Sequence, residues 1–162
     1  MSNKGRSTPR VVCCAIPIAR AAGKVLLVTS RKRKDSWVLP KGGWEPSDGV
    51  LEAAASREAL EEAGVRGKIT RFVTTIPSAS STYHFYELDV TDLDRDWLES
   101  KERRRESFTV VNCTQTVTAT TPTINSNLKL QPPIPTLDHH QHQTTRSIKS
   151  TFQSYIKQLS QT

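Results

Sequence analysis

The sequence predicts an α/β fold, a mixed sheet flanked by helix, and two observations carry that reading. One helix is strongly signalled over Val50 to Ala63, and short apolar strand candidates lie both before and after it. The length suits one domain of roughly a hundred residues plus a tail, and no internal repeat is visible.

Taken in order, the N-terminal residues 1–9 read as a flexible, polar lead with no signal-peptide apolar region. Cys13 and Cys14 sit side by side in an apolar strand candidate. Val25 to Val28 is a second strand candidate, Arg31 to Lys34 a basic run, and Trp37 to Leu39 a third, shorter strand. Pro40-Lys41-Gly42-Gly43 then reads as a turn whose paired glycines let backbone come close to another group.

The helix follows. Ser47 or Asp48 can cap its orphan amides, Glu52 suits the positive end of the dipole, and Leu51, Leu60 and the alanines favour helix. Gly64 stops it, since a left-handed position after the last turn costs glycine least. Beyond it, Pro77 to Thr82 reads as a loop. Tyr83 to Leu88 alternates as a strand, in which His84 reads as a structural histidine with a hydrogen-bond partner.

Helical spacing puts Glu58, Glu61 and Glu62 on one face beside Arg57. Like charges so placed repel by a few tenths of a kcal/mol, roughly, on an exposed helix, and folding does not reward them. They are a solvated acidic face or the seat of a cation. Clustered carboxylates are hard ligands suited to Mg²⁺ or Mn²⁺, which retain waters and bridge to phosphates. Arg57 either orients one of the glutamates through a bidentate pair or makes a plain i,i+4 salt bridge to Glu61.

The run from Gly43 through Arg57-Glu58-Ala59-Leu60-Glu61-Glu62-Ala63-Gly64-Val65 resembles the box of the Nudix hydrolases, G-x5-E-x7-R-E-U-x-E-E-x-G-U with U aliphatic. The departure lies at the first box glutamate, whose place falls on Gly49, directly after Asp48. The resemblance implies an α/β/α sandwich and Mg²⁺- or Mn²⁺-dependent cleavage of a phosphoanhydride. It further implies metal ligation by Glu58, Glu62 and the carbonyl of Gly42, with Glu61 as general base.

The flanking segments Val25 to Val28, Trp37 to Glu45 and Tyr83 to Leu88, with the basic run between the first two, resemble the fungal diphosphoinositol polyphosphate phosphohydrolases. That likeness implies diphosphoinositol polyphosphates, diadenosine polyphosphates and inorganic polyphosphate as substrates, with Arg10, Ser30, Arg31 and Lys32 touching them. Lys41 joins these from its place at the entrance to the box. Loop 77–82 is poor in the cations that relatives carry there. The alternative is a catalytically weak module of the same fold that holds inositol pyrophosphate, polyphosphate or RNA without turnover. The intact glutamates favour the enzyme; Gly49 and the tail favour the module.

Net charge of +7 and a pI near 9.6 fit a polyanionic small-molecule partner, and favour nucleic acid less. No segment is long or apolar enough to span a membrane. Cys13, Cys14 and Cys113 form no zinc or disulfide pattern, so a reducing compartment, cytoplasm or nucleus, is expected. The histidines at 139, 140 and 142 lack spaced partners for a metal site.

Lys101 to Glu106 reads as a solvated helix face, or as a basic run shared with the same relatives, and the resemblance stops there. Residues 10–106 are thus the expected domain. Residues 107–162, rich in Ser and Thr, are expected to be a low-complexity, mostly disordered tail, with apolar periodicity returning only over Ser147 to Leu159. The closing C-terminal helix of the fold is expected to be missing or replaced by this tail.

Overall fold

The computed structural model describes residues 8–109, 150, 154 and 155. The strands are β1 (Arg10–Ala19), β2 (Lys24–Thr29), β3 (Trp37–Val38), β4 (Lys41–Gly43), β5 (Val65–Pro77), β6 (Ser81–Leu93) and β7 (Arg105–Thr109), with helix α1 (Leu51–Ala63) between β4 and β5. Together they form one mixed sheet with the path β3-β2-β1-β6-β5, while β4 pairs with β1 and β7 with β2. The central pair, β1 with β6, is parallel from Arg10 opposite Ser81 to Ile18 opposite Asp89; the other pairings are antiparallel.

Alternation sorts the core into two faces. Cys13 and Ala15 of β1, Leu26 and Val28 of β2 and Tyr86 and Leu88 of β6 face α1, which meets them with Ala54, Ala55, Ala59 and Ala63. Those small side chains let the helix lie close against the sheet. Val12, Cys14, Ile16 and Ile18 of β1, Val25 and Leu27 of β2 and Phe85 of β6 build the opposite face with Leu39, Ile76 and Tyr155.

Cys13 and Cys14, the two cysteines among the described residues, are free and buried, and burial pushes both thiols up, that of Cys13 to about 11, so neither of these two is poised to react at neutral pH.

The expected α/β architecture holds, with differences at element ends. Val50 is the N-cap of α1 rather than its first residue, and no side chain caps it. Ser47 and Asp48 belong instead to a short 3-10 turn, Pro46–Asp48, closed by reciprocal hydrogen bonds between Glu45 and Asp48. Gly49, at φ 72°, turns the chain from that piece into the helix, and Gly64, at φ 58°, ends it as expected.

The basic run Lys101 to Glu106 is not a helix face. Its first residues form a turn and Arg105 opens β7, which continues past the expected domain boundary at Glu106. The physical reason lies two residues on: Phe108 pairs with Val25 and packs edge-on to Trp37, ring centroids 5.2 Å apart.

Most of the expected tail, and the histidines at 139, 140 and 142 with it, lies outside the described residues. Ser150, Ser154 and Tyr155 have helical backbone, within the span where periodicity returns. Tyr155 is buried against the second face, and its hydroxyl donates to Glu87, a buried β6 carboxylate also held by Arg71, Arg20 and Thr70.

Candidate functional site

The Gly-rich strand β4 and the α1 face meet because β4 is clamped to β1. Val12 pairs with Gly43 and Cys13 with Gly42, and the Trp44 amide donates to the Val11 carbonyl at 3.1 Å. Glu58 and Glu62, one turn apart on α1, therefore lie directly under β4. A Cβ on Gly42 would sit 2.1 Å from Glu58 Oε1, so only glycine leaves room for that carboxylate. The Lys41 amide donates to Glu62 Oε2 at 3.0 Å.

Arg57 organises the opposite side. It holds Asp48 with two bonds, Nε to Oδ1 at 2.7 Å and a terminal nitrogen to Oδ2 at 3.1 Å. It also donates to the Gly43 carbonyl at 2.9 Å, to Glu58 Oε1 at 2.9 Å and to Glu61 Oε2 at 3.3 Å. Both sequence readings of Arg57 are partly met, with one correction: the bidentate partner is Asp48, not a box glutamate. Asp48 thus anchors the loop one residue before the position where Gly49 stands, and Gly49, at φ 72°, turns the chain directly after it.

The carboxylates differ in setting. Glu58 and Glu62 are buried, while the Glu61 side chain is 37% exposed. Burial lifts Glu58 to about 6, against the pull of Arg57 and with Glu62 adding repulsion. Burial likewise raises Glu62, against the Lys41 amide and Arg103. Asp48 is held below the ordinary range by its hydrogen bonds to Arg57 and the Glu45 amide.

Sequence reasoning missed Arg103. This buried guanidinium donates to Glu62 Oε1, to the Thr29 carbonyl at 2.9 Å and to Glu99 at 2.5 Å. It lies 41 residues from Glu62 inside a run that read as solvated, and no local pattern marks it. The same segment closes the end of α1. Trp97 donates to the Glu62 carbonyl at 3.0 Å, Arg105 to the Ala63 carbonyl at 2.7 Å, and Arg105 stacks 4.6 Å from the Trp97 ring.

The expected substrate contacts split. The Arg10 guanidinium lies against Gly43, where a Cβ would come within 2.6 Å of it. Lys41 flanks Gly42 on β4. Ser30 closes the loop before β3, accepting the Arg33 amide at 3.3 Å. Arg31 is paired with Glu99 and Glu102, whereas the Lys32 side chain has no ion-pair partner among the described residues. His84 stays out of the site, its Nδ1 3.0 Å from Thr75 Oγ1 across the β5–β6 pair, as the structural reading expected.

The donor set suits a hard cation. Two buried carboxylates raised by desolvation favour a positive charge between them, and Mg²⁺ is commonly held by one or two carboxylates plus water and phosphate. Among the described residues no three His, Cys, Asp or Glu side chains cluster as a ready cage, and Glu62 is engaged by Arg103 and Lys41.

The NUDIX domain model matches residues 8–119. The chain belongs to the NUDIX family.

Its relatives include Nudix hydrolase 12, mitochondrial, of Arabidopsis thaliana, 44% identical over 100 residues that cover 54% of this chain and 48% of that protein. Diphosphoinositol polyphosphate phosphohydrolase 3-alpha of Homo sapiens is 41% identical over 92 residues, covering 54% of this chain and 56% of the human protein. The chain thus spans about half the length of these relatives. A NUDIX hydrolase structure from Nitrosomonas europaea superposes with a TM-score of 0.53 at 31% identity, covering 62% of this chain and 58% of that one. The match of the NUDIX domain extends beyond Glu106, in keeping with β7.

Proposed function

We propose that this NUDIX chain hydrolyses phosphoanhydride bonds in dense polyanions: diphosphoinositol polyphosphates, diadenosine polyphosphates and inorganic polyphosphate. The observation that carries the reading is the close approach of the Glu58 carboxylate to Gly42, with Glu62 buried one turn along the same helix and the more accessible Glu61 tied to Glu58 through Arg57. The human and mouse relatives named as diphosphoinositol polyphosphate phosphohydrolases support the substrate class.

Glu58, Glu62 and the Gly42 carbonyl would hold Mg²⁺ or Mn²⁺, which when bound supplies charge neutralisation at phosphoryl oxygens and a more acidic water. Glu61, exposed enough to meet water, accepts the proton of the water that attacks phosphorus as the bridging P–O bond breaks. Arg57, 3.3 Å from Glu61, fixes its orientation and ties it to the Asp48 loop. Arg10, Ser30, Arg31, Lys32 and Lys41 bind the phosphate chain, arginine through paired N–H groups, lysine as a point charge and serine through its hydroxyl.

The test is product release by the purified chain with Mg²⁺, offered a diphosphoinositol polyphosphate, a diadenosine polyphosphate and polyphosphate in parallel, with Glu61→Gln as control. Turnover lost in Glu61→Gln while binding persists is the expected result. If a folded wild-type chain binds these anions and turns over none, the hydrolase reading fails and the module that only binds polyanions takes its place.

A further inference from the structure

The structure divides the four consecutive cations of the β2–β3 loop, Arg31 to Lys34. The loop is closed by the Ser30 amide on the Ser36 carbonyl at 2.8 Å and the Ser36 amide on the Arg33 carbonyl at 3.0 Å. Arg31, 54% exposed at its side chain, is nevertheless paired twice: with Glu99 Oε1 at 3.3 Å and with Glu102 Oε2 at 2.8 Å. Lys34 Nζ donates to the Glu102 carbonyl at 2.5 Å. Lys32 and Arg33 have no ion pair among the described residues.

The two acids are held differently. Glu99 is anchored: its amide donates to the Glu61 carbonyl at 3.1 Å and its second oxygen takes Arg103 at 2.5 Å. Glu102 is half exposed, and among the described residues Arg31 is the one side chain paired with its carboxylate.

We propose that Glu102, with Glu99 behind it, is a built-in counter-ion of the 31–34 loop. It holds Arg31 until an incoming phosphate chain displaces it. Any anion that uses Arg31 must first break this pair, so a weakly charged phosphate, gaining only an exchange of partners, is kept off. A polyphosphate gathers Lys32 and Arg33 as well and overcomes the competition. The inference rests on the proposed substrate role of this loop and names the residue that sets its affinity.

The test is calorimetric titration of the full chain with inorganic tripolyphosphate in metal-free buffer at low salt. Glu102→Gln and Glu102→Ala are compared with Glu106→Gln, which removes the same charge from an exposed position on β7, and with Arg31→Gln. Removing one half-exposed competing pair is expected to tighten binding about two- to fivefold in both Glu102 variants and not in Glu106→Gln. Arg31→Gln is expected to weaken it. Glu102 variants that bind no tighter than Glu106→Gln overturn the counter-ion alone, provided Arg31→Gln still weakens binding. If Arg31→Gln binds as wild type does, the substrate role of the loop falls, and the counter-ion with it.

Discussion

Arg57 and Asp48 form a two-bond ion pair, at 2.7 and 3.1 Å, across the turn that leads into α1. Because the same guanidinium touches Gly43, Glu58 and Glu61, the pair sets where three parts of the site sit. Asp48→Ala is therefore expected to lower turnover by about ten- to a hundredfold, the usual cost of losing a group that orients others in a site. Steady-state kinetics would show it chiefly in kcat, and an unchanged kcat would mean that Arg57 is held well enough without Asp48.

Gly42 and Gly67 separate function from folding. A Cβ at Gly42 meets the end of a flexible side chain, Glu58, whereas one at Gly67 meets the Asp89 backbone carbonyl at 2.2 Å. Gly42→Ala should fold, with a melting temperature within a few degrees of wild type, roughly, and lose at least about tenfold in activity through the displaced carboxylate. Gly67→Ala should instead cost about 1–3 kcal/mol of stability, the range for overpacking, with normal activity per folded molecule. Thermal denaturation alongside kinetics checks both.

How far this was legible beforehand follows from range. The helix, its glycine stop, the β2 and β3 segments and the acidic face are written in neighbouring residues and appear within a position or two of where periodicity puts them, while the strand read at Tyr83 to Leu88 is the middle of the longer β6. Three features were hidden for physical reasons. Arg103 is defined by Glu62 and Thr29, both far away in sequence. Strand β5 is an edge with bulges, so its mostly exposed residues carry no clean alternation. Asp48 takes up the guanidinium although Gly49 stands at the box position, a pairing across the turn that spacing along the chain does not show.

The site should leave a mark on pH dependence. Burial holds the Glu58 carboxyl at about 6 in the folded chain, above the ordinary range of an exposed glutamate near 4.5. The metal-free folded state then binds more protons than the unfolded chain between those values, so stability falls as pH rises through this window. Asp48 acts in the opposite sense at lower pH, since its depressed value makes its contribution vanish as acid protonates it. Melting curves from pH 4 to 7, roughly the span these groups cover, should show this fall in wild type and a shallower one in Glu58→Gln, where the raised Glu62 alone contributes in the same sense. Added Mg²⁺ should raise the melting temperature more at the upper end, where the carboxylate is already ionised.

Tyr155 gives a stability prediction away from the site. Its hydroxyl donates to buried Glu87, and its ring lies 5.3 Å under the Arg71 guanidinium. Tyr155→Phe keeps the ring and removes two bonds to charged groups, the one donated to Glu87 and a long one accepted from Arg71 at 3.4 Å, with an expected cost of about 1.5–3 kcal/mol dominated by the Glu87 bond. Chemical denaturation measures it, and activity per folded molecule should not change.

The parallel joining of β1 to β6 brings Arg10 opposite Ser81, across the length of α1 and the β5–β6 hairpin. The β1–β2 and β5–β6 hairpins make local contacts and can form early, whereas the parallel β1–β6 pairing must close a long loop before it is rewarded. Strand β4 is fastened to β1, through the Trp44 amide on Val11 and the Ala15 amide on Pro40, while α1 packs on both β1 and β6, so Gly42 meets Glu58 in its final place only when the two hairpins have joined. Hydrogen exchange at the Trp44 and Ala15 amides should therefore track global unfolding, and a folding intermediate that already holds α1 and the β5–β6 hairpin would still have no competent site.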